Sequence, residues 1–403
     1  MTLPLKGYRV LDATTWFQSI AARMMGDLGA EVIKIEPRGI GDPIRGVMAM
    51  NKLETGEEAR NMSFEHANFN KKSFTLDLRK ERGRELLYKL VEKSDVFVHN
   101  LRSQAAIRLG IDYPTISKRN PRLIYALSCA WGSKGEGADR ASYDRMAVAR
   151  SGLMTYSGQP GTPPSYINAS LADHMGATMM ALATVSALLN REKTGLGQEV
   201  ECSLLGSMMH LMGLNVDNKI AIGIELTRID RTQARNPLWN EYMCKDDKGI
   251  SLGMLMADRY WHSFCRALNL EDMEKDPRFE NMTVRGKNAV DLIRILDKIF
   301  ASKTRADWMD IMNQRGDLIF EPINGIADLV EDPQVWANNY IATYENPNWG
   351  KTNMAITPIR FGSETTKVNL PTPELGAHTE MILNEILGFS REDIIKLKKE
   401  GVI

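Results

Sequence analysis

One acid stands at the head of a run of small and apolar residues: Asp173, in "SLADHMGATMMALATVSALLNREKTGLGQEVECSLL", residues 170–205. Two roles suit a carboxylate there. It can cap a helix, accepting hydrogen bonds from the free amides of the first turn and facing the positive end of the dipole. It can also be a nucleophile, held ionised by that same helix end. The two are compatible, so other residues must decide. The cysteines and histidines offer less. Cys129, Cys202, Cys244 and Cys265 lie far apart and form no CxxC pair. They read as reduced, buried thiols of a cytosolic protein. His66, His99, His174, His210, His262 and His378 show no HExxH or other ligand spacing, so no metal site is expected. No GxxxxGK(S/T) occurs and no GxGxxG follows the first strand, which removes the simplest ATP and dinucleotide readings.

The elements that must position Asp173 are legible in outline. The chain has 403 residues, enough for two or three domains with real cores. Lys+Arg and Asp+Glu are both 51, which argues against broad nucleic-acid binding. The opening "MTLPLKGYRVLDATTW" shows no signal-peptide pattern, and the apolar stretch from Met179 to Leu189 is shorter than the roughly 18 residues a bilayer span needs. A cytoplasmic location is expected. The first 130 residues alternate strand and helix: "YRVLDAT", "SIAARMMGDLG", "AEVIKIE", "KSFTLDL", "ERGRELLYKLVEKS", "DVFVHNL" and "RLIYALS", with a polar segment at 38–62. Such alternation predicts a parallel, doubly wound sheet, with ligands at the carboxyl ends of its strands. "SYINASL" reads as a short strand leading to Asp173. The helix after it is apolar nearly all round, so burial inside the fold is expected. "EYMCKDDKGISLGML" reads as a hairpin. "GIADLVEDPQVWANNY" reads as one helix containing Pro333, "ITPIRF" as a strand, and "SREDIIKLKKEGVI" as a helix begun by Ser390 and Glu392. The expected organisation is a large domain from 1–205 and 330–403, a linker at 206–235 and a small α+β domain at 236–329.

In order along the chain, "GYRVLD", "DLGAEVIKIEPRGIGDPIRG", "NKKSFTLDLRKERGRELLYKLVEKSDVFVHNLR", "RLG", "YDRMAVARSGLM", "ADHMGATMMALATVSALL", "TGLGQEVECSLL", "DPRF", "EDPQVWANN" and "LGAHTEMILNEILG" resemble the family III CoA-transferases. That group includes formyl-CoA:oxalate and carnitine CoA-transferases. The resemblance implies an α/β fold with a Rossmann-like parallel sheet in the large domain, and an interlocked dimer. It implies coenzyme A as co-substrate in the form of acyl-CoA, a carboxylic acid acceptor and no tightly bound cofactor. It makes Asp173 the nucleophile, passing through an aspartyl anhydride and an aspartyl-CoA thioester, which must be shielded from water. It further implies CoA contacts at Phe17, Arg38, Leu76, Arg79, Asn100, Leu101 and Arg108, and a Tyr143–Asp144 pair facing the active site.

Two departures from the family pattern stand out. "TTWFQSIAA" is about one residue shorter than the usual turn after the first strand, and Gln18 is its candidate amide for the oxyanion. The Gly-rich shielding loop of the oxalate enzyme has no counterpart at 236–256, which leaves the "ARNPLWNEY" segment, with Trp239 and Tyr242, as the shield. Trp16, Phe17, Trp131 and Trp239 are candidates for an apolar acyl pocket. Segments such as "NPLWNEYMCKDD" and "EDPQVWANNY" lean toward an aromatic, 2-hydroxy or dicarboxylic acid acceptor. Two other readings compete. A 2-methylacyl-CoA racemase on the same fold uses a His-Asp pair where this chain has Tyr143-Asp144, and a phenol with a pKa of about 10 serves proton transfer poorly. A non-catalytic CoA-binding subunit, paired with a homologue, is the other.

Overall fold

A computed structural model describes residues 3–47 and 61–403. The middle of the polar segment 38–62 and the first two residues lie outside the described residues. The chain divides into two compact units: one of Met1–Met154, Ser165–Leu226 and Asn338–Ile403, the other of Thr155–Pro164 and Thr227–Ala337.

The first unit is built on six strands, β1 (Arg9–Ala13), β2 (Glu31–Glu36), β3 (Lys71–Thr75), β4 (Val96–His99), β5 (Ile124–Cys129) and β6 (Glu199–Ser203). They are all parallel, in the order β3-β2-β1-β4-β5-β6. Strands buried on both faces read as nearly continuous apolar runs, as β1, β2, β4 and β5 do; the edge strand β6, "EVECS", is only partly buried. Side chains alternate across the sheet. Leu11, Ile33 and Phe97 pack on one face with Leu86, Leu90 and Val91 of the helix Glu81–Val91 and with Ile394 and Leu397 of the helix Arg391–Lys399. Val10, Val32, Val96, Val98 and Ile124 pack on the other with Ala21, Ala22 and Met25 of the helix Ile20–Asp27 and with Ala177 and Met180 of the helix Leu171–Thr194. The order reverses between β1 and β4, and a crevice opens there at the strands' carboxyl ends.

The helix Leu171–Thr194 returns the chain from β5 to the parallel β6, so it begins at that same edge. It is not enclosed: Leu182 is 59 % and Leu189 62 % exposed, while Gly176, Ala177, Met180, Thr184 and Leu188 form the buried stripe. Small residues let one face approach the sheet closely, and the opposite face remains uncovered within the chain. "SYINASL" is not a strand; it runs without ladder partners into Ser170, whose φ of +47° starts the helix.

The second unit has its own core, where β7 (Trp239–Met243), β8 (Gly249–Gly253) and β9 (Phe320–Pro322) form an antiparallel sheet under the helices Ala257–Ala267, Ala289–Phe300 and Arg305–Asn313. The hairpin about Asp246-Asp247-Lys248 is present. The expected helix through Pro333 is two helices, Ile326–Glu331 and Pro333–Ala337. Proline lacks the amide a helix interior needs and pushes the preceding Asp332 into extended conformation (ψ 120°). A hairpin of β10 (Ile341–Asn346) and β11 (Gly350–Ala355) precedes the short strand at Arg360–Phe361. Ser390 begins the last helix through a capping box whose partner is Asp393, not Glu392, because the third helical residue is the one that reaches back. Among the described residues no helix is long and apolar enough to cross a membrane.

Candidate functional site

At the carboxyl edge of the sheet the turns after β1, β4 and β5 surround a cleft of about 660 Å³. Thr15, Trp16 and Gln18 come from the first turn, His99 to Ser103 from the second, Ser128 to Ala130 from the third, and Asp173 from the helix head. The turn after β1 is the 3-10 helix Trp16–Ser19. Asn100 ties it to the turn after β4: its Oδ1 accepts from the Thr15 amide at 2.9 Å and its Nδ2 donates to the Thr15 carbonyl at 3.0 Å. His99 braces the second turn. Its Nδ1 accepts from the Leu101 amide at 3.2 Å, so Nε2 carries the proton and donates to the Tyr125 oxygen at 2.6 Å, while Tyr125 donates to the Ile111 carbonyl. Burial pushes the His99 pKa down to about 4, so the ring stays neutral.

Asp173 is the third residue of its helix and its side chain is not the cap. Its Oδ1 accepts from Gln18 Nε2 at 2.9 Å. The amide of Gln18 cannot turn over freely, because Ser128 Oγ donates to Gln18 Oε1 at 2.6 Å and so leaves Nε2 facing Asp173. Gly176, one turn on, makes room: a Cβ there would lie 2.6 Å from Leu204 Cδ2 and 3.6 Å from Gln18 Oε1. The capping is done by Asp144, whose Oδ1 accepts from the Asp173 backbone amide at 3.0 Å and whose Oδ2 accepts from the Tyr166 hydroxyl at 2.6 Å. That phenol is pushed up to about 12 by burial and by Asp144, which keeps it a donor.

The electrostatics reverse one expectation. The Asp173 pKa is raised from 3.8 to about 6, chiefly by burial and further by the charge of Asp144, against the lowering effect of the Gln18 hydrogen bond. Desolvation outweighs the helix end, whose partial charge is already met by Asp144. The carboxyl is therefore more basic than an ordinary aspartate yet still mostly ionised at neutral pH.

The structure brings Asp173, Gln18, Tyr143, Asn100 and Leu101 to this one cleft, with Asp144 directly behind Asp173. Tyr143 is 66 % exposed and meets Trp16 edge to face at 5.9 Å; it makes no pair with Asp144's carboxylate, which faces Tyr166 instead. Phe17 packs against the core, its ring 6.1 Å from that of His174. Arg38, Leu76, Arg79 and Arg108 do not line the cleft. Leu76 is 2 % exposed, packed in the core. Arg79 grips Asp77 through Nε and Nη2 at 2.8 and 2.9 Å. Arg38 is exposed and donates to the Ile403 carbonyl at 2.8 Å, and Arg108 is exposed on the last turn of the helix Ser103–Leu109. The arginines on the cleft wall are Arg102, which directly follows the strand β4 and its turn where ligands of such sheets are expected, and Arg140, which nothing in the sequence marked. Ser128 and Tyr166 were also missed, as was the contact of His66 Nε2 with His174 Nε2 at 3.3 Å. Trp131 packs with Leu204 and Met208, its indole N–H on the Arg140 carbonyl. Tyr242 is no shield: it is fully buried in the second unit, stacked on Phe300 with its hydroxyl donating to the Pro237 carbonyl, whereas Trp239 is 54 % exposed on β7. Among the described residues no cluster of three His, Cys, Asp or Glu is placed to hold a metal ion.

Residues 5–379 match CoA-transferase family III. The chain is 32 % identical to the (R)-2-hydroxy-4-methylpentanoate CoA-transferase of Clostridioides difficile, over 99 % of each chain. It is 28 % identical to the cinnamoyl-CoA:phenyllactate CoA-transferase of Clostridium sporogenes, over 98 % of this chain and 96 % of that one. A crystal structure of a CAIB/BAIF family protein from Brucella suis superimposes with a TM-score of 0.83 at 27 % identity, over 96 % of this chain and all of the other. The matches in sequence and in fold run through the sheet, its turns and the helix of Asp173 alike: the chain belongs to CoA-transferase family III, and it is a CoA-transferase.

Proposed function

We propose that Asp173 is the nucleophile of the transfer and that the acceptor is a 2-hydroxy acid with an apolar side chain. The observation that carries the first part is the Gln18–Asp173 hydrogen bond at 2.9 Å inside the cleft, on a carboxyl with a pKa of about 6. One Asp173 oxygen attacks the acyl carbon of the donor thioester, forming an anhydride and expelling CoA thiolate. The thiolate attacks the aspartyl carbonyl, forming aspartyl-CoA and releasing the donor acid with the bridging oxygen. The acceptor carboxylate then attacks the aspartyl-CoA carbonyl, and the thiolate returns to the acceptor's own acyl carbon. Asp173 is left with one oxygen from the acceptor. Gln18 Nε2, already on Oδ1, donates to the aspartyl carbonyl oxygen as it gains charge in the two tetrahedral intermediates centred on the aspartyl carbon, which is how a preplaced amide lowers such barriers. Arg102 and Arg140 on the wall give the phosphates of CoA their counter-charge.

The acceptor class rests on two relatives whose names specify 2-hydroxy acids, (R)-2-hydroxy-4-methylpentanoate and phenyllactate, and on a cleft lined by Trp16, Leu101, Ala106, Ile107, Tyr113 and Leu127. One experiment tests both parts: a single turnover with acceptors labelled with oxygen-18 in the carboxylate. The reading requires the label in Asp173, and faster transfer to branched or aromatic 2-hydroxy acids than to dicarboxylic acids. An unlabelled Asp173 after productive transfer rejects the nucleophile; a dicarboxylate preference rejects the acceptor class alone.

A further inference from the structure

The turn that carries Gln18 has neither a sheet ladder nor a long helix to hold it. Trp16 within it has φ +59°, a conformation that a bulky residue keeps only where its surroundings impose it. Beneath the turn lie four charged side chains that the transfer chemistry leaves unused, Asp12, Lys34, Asp42 and Lys71, none more than 1 % exposed. Each grips the turn. Lys34 Nζ donates to the Thr14 carbonyl at 3.0 Å and to Ser19 Oγ at 2.8 Å, and lies 2.8 Å from Asp42 Oδ2. Lys71 Nζ donates to the Ser19 carbonyl and to Asp12 Oδ2, both at 2.7 Å. Asp12 Oδ1 accepts from the Thr14 amide at 3.0 Å, and Asp42 Oδ1 from the strained Trp16 amide at 3.2 Å.

The four charges cancel. Burial opposes ionisation of Asp12, but Lys71 and Lys34 outweigh it and hold the carboxyl below its usual range. Burial likewise opposes the charge on Lys34, and Asp12, Asp42 and Glu36 more than offset it. At Lys71 burial prevails over Asp12 and brings the pKa down to about 8, which still leaves the amine charged at neutral pH. Apolar side chains of the same volume are often as stable as a buried ion cluster. What they cannot do is bind the backbone and hydroxyl atoms that the turn leaves unpaired between residues 14 and 19.

We propose that this buried quartet positions Gln18: it pins the turn at Thr14, Trp16 and Ser19 so that the side-chain amide reaches Asp173, which makes Lys34 and Asp42 positioning residues of the transfer reaction. The proposal rests on the reading of Asp173 and Gln18 given above. The test is a double-mutant cycle of Asp42→Asn and Gln18→Ala with a crystal structure of Asp42→Asn. Asp42→Asn is expected to lower kcat by roughly tenfold to a hundredfold, as small displacements of a catalytic group do, with KM for acyl-CoA unchanged. In the Gln18→Ala background it is expected to cost nothing more. In the crystal Gln18 Nε2 is expected to leave Asp173. Additive losses, or Gln18 unmoved, overturn the proposal. If Asp42→Asn does not fold, Lys34→Met/Asp42→Asn, which removes the pair together, is read in the same way. The crystal structure judges the positioning even if Asp173 proves not to be the nucleophile.

Discussion

The backbone amide of Asp173 is capped by the carboxylate of Asp144, 3.0 Å away and 29 residues earlier in the chain. This relationship separates the two roles that the sequence left together. A different acid satisfies the helix end, which frees the Asp173 side chain for the cleft. The cap also places a second negative charge beside the first.

Replacing Asp144 with Asn keeps an acceptor for the amide and removes the charge. The Asp173 pKa, now about 6, then falls toward its ordinary value. With Asp173 as the proposed nucleophile, transfer requires its carboxylate, so the acidic limb of the kcat pH profile is predicted near pH 6 in the wild type and lower in Asp144→Asn. A profile from pH 4.5 to 8 checks this, and an unshifted limb removes Asp144 from the electrostatics of the site.

Asp173→Asn should stabilise the fold. In the unfolded chain the carboxyl titrates near its ordinary value of 3.8, in the folded chain near 6. A raised carboxyl pKa contributes stability that is full below the unfolded value and is lost as pH rises through about 6. At pH 8 the folded wild type therefore carries a penalty of up to about 3 kcal/mol that the amide does not share. Urea unfolding should show Asp173→Asn more stable at pH 8, with the advantage shrinking toward pH 4.

Gln18→Ala should lower kcat by about 10²–10³, the usual loss for a preplaced oxyanion donor. Ser128→Ala leaves that donor but frees its amide to turn, so it should cost less than Gln18→Ala and nothing in the Gln18→Ala background. Additivity of the two in steady-state transfer assays would show that Ser128 acts by another route.

Arg102→Gln and Arg140→Gln should each raise the Kd for CoA severalfold, and the increase should shrink at high salt because phosphate contacts are screened. Arg79→Gln, whose guanidinium is already engaged by Asp77, should change it less. Calorimetric titration with CoA orders the three.

How far the sequence led follows from what kinds of contact it encodes. β1, β2, β4 and β5 were legible because double burial writes itself as apolar runs, and the cleft's place followed from strand order; β6, "EVECS", is an edge strand and only partly buried. Asp173 was legible because a lone acid interrupts an apolar stretch. The residues that brace its partners were not: Tyr166 and Ser128 meet Asp144 and Gln18 across 22 and 110 residues, and nothing local marks them. Lys34 was a signal left unread, since a lysine in the middle of the buried "EVIKIE" strand must find partners inside. "SYINASL" misled because its alternation suggests a strand, yet it joins no sheet ladder among the described residues.

The most direct test of the account is intact-protein mass after mixing wild type and Asp173→Asn with a panel of acyl-CoAs, including CoA esters of branched and aromatic 2-hydroxy acids. The account predicts a hydroxylamine-sensitive adduct of CoA mass on the wild type alone, mapping to the peptide that holds Asp173. An adduct that persists in Asp173→Asn, or transfer by the wild type at full rate with no adduct detectable under trapping, would contradict it.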